Sequence, residues 1–208
     1  FVRRTVPLDS IPAVVGRAEF KDAAHKMASR SLVLVKDQNG TVHGLKSTRR
    51  PLSLITYGDD NNRAIGNALA SELRSRGFPV TMFKLWPASG PASYDSARTV
   101  IARNPVTVFV ASDKPTESRG TLGLPDSLVT LMTLTSRARP TVLVSLGNPY
   151  LISGIPEVWS YLIAWRANSV AEQAVGRALA GATSITGQLP ISIPPNYPRG
   201  WGLQREVQ

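Results

Sequence analysis

The 208-residue chain has no cysteine, only two histidines, and 14 acidic residues against 24 basic ones. Without cysteine there is no disulfide, no thiolate metal site, no cysteine nucleophile and no redox pair. His25 and His43 are too few for a histidine-rich metal centre. No apolar run approaches the ~20 residues that a membrane-spanning helix needs. Disorder is excluded as well, because 42% of the residues are hydrophobic and only 18% are charged. A chain of this length buries about 70% of its unfolded surface, so its core needs no covalent or metal staple.

What is present is a strand–helix alternation, the pattern of a parallel sheet with helices on both faces. Residues 17–30 place Phe20, Ala23, Ala24 and Met27 at helical spacing, which predicts one apolar stripe. A β-branched strand follows over 31–36 and ends in the turn residues 37–40; His43 then falls in a polar connector. Further strands are expected over 52–57, 79–84, 106–111 and 140–146, with 158–165 as a sixth. Helices are expected after Asp59-Asp-Asn-Asn62, from Ser93 or Asp95 to Arg103, from an Asp126 N-cap to Arg137, and over 171–180. No linker, repeat or low-complexity segment interrupts the chain, so residues 1–208 read as a single α/β domain.

In open parallel sheets, ligands bind beyond the carboxyl ends of the strands. Four loops reach that edge: 58–62, 86–94, 112–123 and 147–150. None carries the Gly-x-Gly-x-x-Gly or Gly-Lys-Ser/Thr pattern of a nucleotide loop, and no Gly-x-Ser-x-Gly elbow is present. Neither histidine falls on these loops, which leaves a serine triad without its base. The pair Asp59-Asp60 can cap a helix, hold a hard cation or accept sugar hydroxyls. Glu117 lies on a polar loop with Lys114 and Arg119. It can pair with those cations on the surface, or serve as the general acid of glycoside cleavage. That chemistry requires a second carboxylate or a covalent partner at a set separation. No metal or cofactor site is expected from these residues.

Charge raises a second class of partner. Ten basic and four acidic residues fall in positions 1–50, which hold +6 of the net +10, and Lys46-Ser-Thr-Arg49-Arg50 is the densest cluster. No helix-turn-helix, RNP or zinc pattern accompanies them, so nucleic acid is not expected as a partner. A stand-alone flavodoxin-like module for a small ligand or nucleic acid is the alternative reading. The chain begins at Phe1 without a leader pattern and reads as a fragment of a longer protein.

Several short motifs occur in a telling order. They are His25-Lys-Met-Ala-Ser-Arg-Ser-Leu-Val-Leu-Val-Lys-Asp-Gln-Asn-Gly40 with Arg50-Pro51-Leu52, then Val144-Ser-Leu-Gly-Asn-Pro-Tyr150. Glu172-Gln-Ala-Val175, Ala178-Leu-Ala-Gly181 and Gly187-Gln-Leu-Pro-Ile-Ser-Ile-Pro194 come next, and Tyr197-Pro-Arg-Gly-Trp-Gly-Leu203 closes the series. Together, over residues 20–203, they resemble the C-terminal domain of glycoside hydrolase family 3. Leu-Gly-Asn-Pro-Tyr and the Tyr-Pro-x-Gly ending lean toward its β-N-acetylglucosaminidase branch.

The resemblance implies a three-layer α/β/α sandwich with a mostly parallel sheet of five or six strands. It also implies a preceding catalytic TIM barrel on the same parent chain, for which residues 1–16 would be the lead-in and 194–208 a C-terminal coil. That barrel would hold the aspartate nucleophile and, in the N-acetylglucosaminidase branch, an Asp/His acid–base pair. In the β-glucosidase branch the acid–base is a glutamate on a loop of the C-terminal domain. Pro115-Thr-Glu117-Ser-Arg-Gly120-Thr121 matches that loop in part, with Thr121 where the family has aspartate. The implied parent is a bacterial, periplasmic or secreted exo-acting β-glycosidase acting on carbohydrate. The domain alone would be inactive, with Asp59, Asp60 and Arg119 at the substrate and Glu117 as acid–base candidate.

Overall fold

The structure is a computed structural model that describes residues 8–58, 64–113 and 123–207. A 3-10 turn and α1 (Ile11–Val14) lead into α2 (Ala18–Ser31), β1 (Val33–Asp37) and α3 (Thr41–Thr48). Then come β2 (Leu52–Tyr57), α4 (Asn67–Ser75), β3 (Val80–Leu85), α5 (Pro91–Ala102) and β4 (Val106–Ala111). The chain continues through α6 (Asp126–Ala138), β5 (Thr141–Ser145), β6 (Ser160–Ile163) and α7 (Ser169–Leu179). The six strands form one sheet in the order β1-β6-β5-β4-β2-β3. All neighbours are parallel except β1, which runs antiparallel to β6.

The strands are apolar runs because the sheet is covered twice. Every residue of β2 and β4 is buried. Alternate side chains serve opposite layers. Leu52, Leu54, Val108, Val142 and Leu162 meet α3, α4 and α7 on one face. Ile55, Phe109, Leu143 and Tyr161 meet α5 and α6 on the other. The expected α/β/α sandwich is therefore what the chain forms.

One buried charge joins two helices. Glu172, in the first turn of α7, is 4% exposed. Its Oε1 accepts from Gly66 N (3.0 Å), and its Oε2 from Ala68 N (3.0 Å) and Leu69 N (3.4 Å). These are the orphan donors at the start of α4. Gly66 offers no side chain to cap them. Its φ of +80° and the 2.4 Å that would separate an added Cβ from Thr56 Cγ2 both demand glycine. The expectation that Asp59–Asn62 caps this helix is corrected: α4 starts later, at Asn67, and the cap comes from across the layer. Gly176 lets α7 approach closely enough, since a Cβ there would meet Glu72 Cγ at 2.7 Å.

The C-terminal segment is pinned rather than trailing. Asp37 accepts from Val42 N, from Ser160 Oγ and from both Nε (3.1 Å) and Nη2 (2.8 Å) of Arg205. Trp201 Nε1 donates to Val35 O at 2.8 Å, and Leu203 N to Leu34 O at 2.8 Å. The tail thus satisfies edge strand β1, which would otherwise offer bare pairing groups.

One further expectation changes. The polar connector after β1 is a helix, α3, with His43 exposed on it. The expected helix with the stripe Phe20, Ala23, Ala24, Met27 is α2, and that stripe is exposed: α2 buries no residue and touches the body through its His25, Ala28 and Ser29 side. Replacing Glu172 by Ala is expected to cost about 2–3 kcal/mol in urea unfolding, because three donors lose a charged acceptor. A loss below about 0.5 kcal/mol would show that the carboxylate does not hold α4.

Candidate functional site

The sheet reverses its winding between β2 and β4, since β3 lies outside β2 while β4 and β5 extend the other way. The carboxyl ends of such switch strands form the usual ligand crevice. Here Tyr57 pairs with Ala111, and Ala111 pairs with Ser145. Ser112 N donates to Tyr57 O (2.9 Å), Leu146 N to Ala111 O (2.8 Å) and Ala164 N to Ser145 O (2.9 Å). The four strand ends are thereby laced into a common ledge from which the loops depart.

Asp59, Asp60, Glu117 and Arg119 lie outside the described residues. The structure places the roots of their two loops, Gly58 and Asp113, on adjacent strands at this ledge.

The described part of the ledge is organised by Asn148. Its Nδ2 donates to Asp113 Oδ2 (3.1 Å), and its Oδ1 accepts from Tyr150 N (2.9 Å), which starts the 3-10 turn Pro149–Gly154. Its backbone carbonyl accepts from Ser145 Oγ and from Tyr161 Oη, and the phenol also reaches Pro149 O at 2.9 Å. Gly147, at φ +133°, makes the bend that turns Asn148 back toward β4. This network ties the end of β5 to the first residue after β4. A groove of about 310 Å3 opens beside it, with Leu124, Val129, Leu151 and Ile155 as apolar walls and half-exposed Tyr150 at its rim. Its size and lining fall at the small end of ligand-sized hollows.

The basic cluster is elsewhere. Arg49 and Arg50 follow the last turn of α3 and lead into the start of β2, at the opposite end of the sheet from the ledge. Cations at a helix C-terminus offset its dipole. His25 lies beside Arg177, with Nδ1 3.4 Å from Nη2, and His43 is exposed. Among the described residues no three His, Asp or Glu side chains gather as metal ligands, and no helix is long and apolar enough to cross a membrane.

No family model and no curated protein sequence matches the chain. Solved structures do. A β-glucosidase from Listeria innocua superposes with a TM-score of 0.79 at 15% identity, over 97% of this chain and 36% of the other. A glycoside hydrolase family 3 β-N-acetylglucosaminidase from Paenibacillus sp. str. FPU-7 gives 0.68 at 14% identity, over 83% and 32%. A β-glucoside phosphorylase gives 0.64 at 21%, over 88% and 33%. The fold is that of the C-terminal domain of family 3 glycosidases. The chain spans about a third of the length of these family 3 relatives.

Asn148, Ser145 and Tyr161 are residues of the ledge to which residue chemistry alone assigns no role. Ser145 and Asn148 are visible in sequence only within the motif Val144-Ser-Leu-Gly-Asn-Pro-Tyr150, whose Gly147-Asn-Pro149 reads as a stop after a strand. Tyr161 records how dry the ledge is underneath: burial pushes its phenol well above the ordinary value of about 10, against the opposing hydrogen bond with Ser145. Between the ordinary value and the raised one, the folded state keeps a proton that the unfolded chain has lost. Stability is therefore level below pH ~10 and falls as pH rises beyond it. Urea unfolding from pH 7 to 11 is expected to show that fall. Tyr161→Phe should cost about 1 kcal/mol at pH 7 and flatten the alkaline decline, leaving the smaller share of Tyr197, whose phenol burial also raises. An alkaline slope unchanged in the variant would contradict this assignment.

Proposed function

We propose that this chain is the pocket-wall domain of a larger exo-acting β-glycosidase, packed on a catalytic TIM barrel that supplies the nucleophile. The substrate class is a terminal β-linked sugar, with N-acetylglucosamine as the first choice and glucose as the second. One observation carries the reading: the loops bearing Asp59-Asp60 and Glu117 rise from adjacent strands at the switch point of a family 3 C-terminal fold. Carboxylates and a guanidinium there are suited to sugar hydroxyls and to the glycosidic oxygen. The order of motifs along the sequence supports the same reading independently.

Retaining hydrolysis needs a carboxylate on each side of the scissile bond, roughly 5 Å apart. Asp113 precedes the segment that carries Glu117 in the sequence, and it is engaged by Asn148. The second carboxylate is accordingly assigned to the barrel, and the 208-residue chain alone is inactive. In a β-glucosidase-type enzyme Glu117 protonates the leaving oxygen. In an N-acetylglucosaminidase-type enzyme the barrel does so, and Glu117 is a loop residue.

A free-standing phosphate- or nucleotide-binding module is less well supported. Its usual anion cradle, the N-terminus of the helix that follows the switch strand, is filled here by the chain's own Glu172.

The test compares the 208-residue chain with the complete translated product of its gene on nitrophenyl N-acetyl-β-glucosaminide and β-glucoside. Only the longer polypeptide is expected to hydrolyse either, and turnover by the 208-residue chain would overturn the proposal. In the longer polypeptide, Glu117→Gln should lower kcat by about 10²–10⁴-fold if Glu117 is the acid–base. Unchanged kcat places that role in the barrel.

A further inference from the structure

Three helices end together at the amino side of the sheet. Arg49 follows α3, Arg76 and Gly77 follow α4, and Ala180, Gly181 and Ala182 follow α7. These residues border an open hollow of about 700 Å3, within the usual span of ligand sites. Glycines and alanines leave the space between the two arginines unfilled, and no acidic residue lines it among those described. Helix C-termini attract cations, so arginines here are expected as dipole compensation. Compensation accounts for the charge but not for the pose of Arg49.

Arg49 sits at φ +41° and ψ +35°, in the left-handed region. Helices ordinarily give that position to glycine or asparagine, because a residue with a Cβ is strained there. The other described non-glycine residue at positive φ is indeed an asparagine, Asn39. Strain kept in a non-glycine residue is characteristic of ligand clamps. Held this way, the Arg49 side chain lies along Gly77, where an added Cβ would stand 3.5 Å from its Nη1. Its guanidinium finds no acceptor among the described residues. The helix ends do not call for it, since Leu73 O, Arg74 O, Arg177 O and Ala178 O already accept from backbone N–H groups of the turns that follow. Arg76 is fixed by Glu72, whose Oε1 accepts from its Nε at 2.7 Å and which packs against Gly176 of α7. Its two Nη groups are left for a further acceptor, and 35% of the side chain is exposed.

We propose that this hollow binds a phosphate group between the guanidinium groups of Arg49 and Arg76. Two forks with no carboxylate between them suit a tetrahedral dianion, because each presents paired N–H donors to its oxygens. The strained backbone of Arg49 is then kept because it carries the fork over Gly77 to the anion. The site lies at the opposite end of the sheet from the ledge, and it requires nothing of the glycosidase reading.

The measurement is a titration of the isotope-labelled 208-residue chain with inorganic phosphate, followed by amide chemical shifts, against sodium chloride of equal ionic strength. Phosphate is expected to move the Gly77 and Gly181 N–H resonances to saturation, and chloride is not. Arg49→Gln should weaken the binding at least about tenfold. Arg103→Gln, at an exposed arginine that ends α5 on the other layer, should leave it unchanged. Arg49→Gly separates the clamp from the fold. It should raise Tm by about 2 °C, because glycine takes this backbone freely, and still abolish the shifts. Shifts that match those in chloride, that survive in both Arg49 variants, or that Arg103→Gln weakens equally overturn the proposal. A second arm uses vesicles of phosphatidic acid in phosphatidylcholine. Saturation by free phosphate without retention on vesicles assigns the phosphate to a small soluble anion. Retention on vesicles that Arg49→Gln abolishes assigns it to a lipid headgroup, and either result supports the site.

Discussion

The Glu172 carboxylate is the contact on which the arrangement of the layers turns. A buried charge is costly unless it is fully hydrogen-bonded, and three backbone N–H groups supply that here. In return α4 begins where it does, packed beside α7 on the same face of the sheet. Gly66 and Gly176 exist to let the two helices and β2 come this close. The consequence reaches the ligand edge. A helix N-terminus at the switch point is ordinarily the place where an open α/β sheet receives a phosphate. By filling it internally, the chain gives up anion chemistry at that position and leaves the edge to its loops.

The two ends of the sheet are chemically distinct as a result. At the carboxyl end, Asp113 and Asn148 form the described ledge. At the amino end, Arg49 and Arg50 sit where α3 stops and β2 starts. A net charge of +10 therefore says little about the surface on which a ligand would land.

The central strands were legible because burial on both faces leaves no room for polar alternation. Runs such as Val106–Ala111 and Thr141–Ser145 have few other readings. Helix α3 was not legible, since His43, Gly44 and Thr48 break its pattern and only Val42 and Leu45 reach the core. The α4 cap could not be read either, because its acceptor lies 106 residues away from Gly66. Local sequence carries local capping; a cap delivered across a layer is a tertiary fact. The ledge was half visible. Strand ends and loop compositions pointed to it, whereas Asn148 acts through a bend that looks like a simple stop signal.

The stripe on α2 shows how far periodicity reaches, because the helix forms as its spacing implies and the striped face stays exposed. A hydrophobic stripe at helical spacing states that a face is to be covered; it does not state by what. Within this chain α7 takes the side with His25 and Ala28, and the sheet is already closed by α3, α4 and α7 on that layer. Among the described residues none covers Phe20 and Met27. The same sequence thus contains one core that is satisfied internally and one face that is not. The tail adds a contrast, since Arg205 and Trp201 close the edge of β1 with the chain's own residues. Where a cover could be supplied from within, it was. At α1 and α2 the described residues supply none, so the apolar face of these helices stays in solvent.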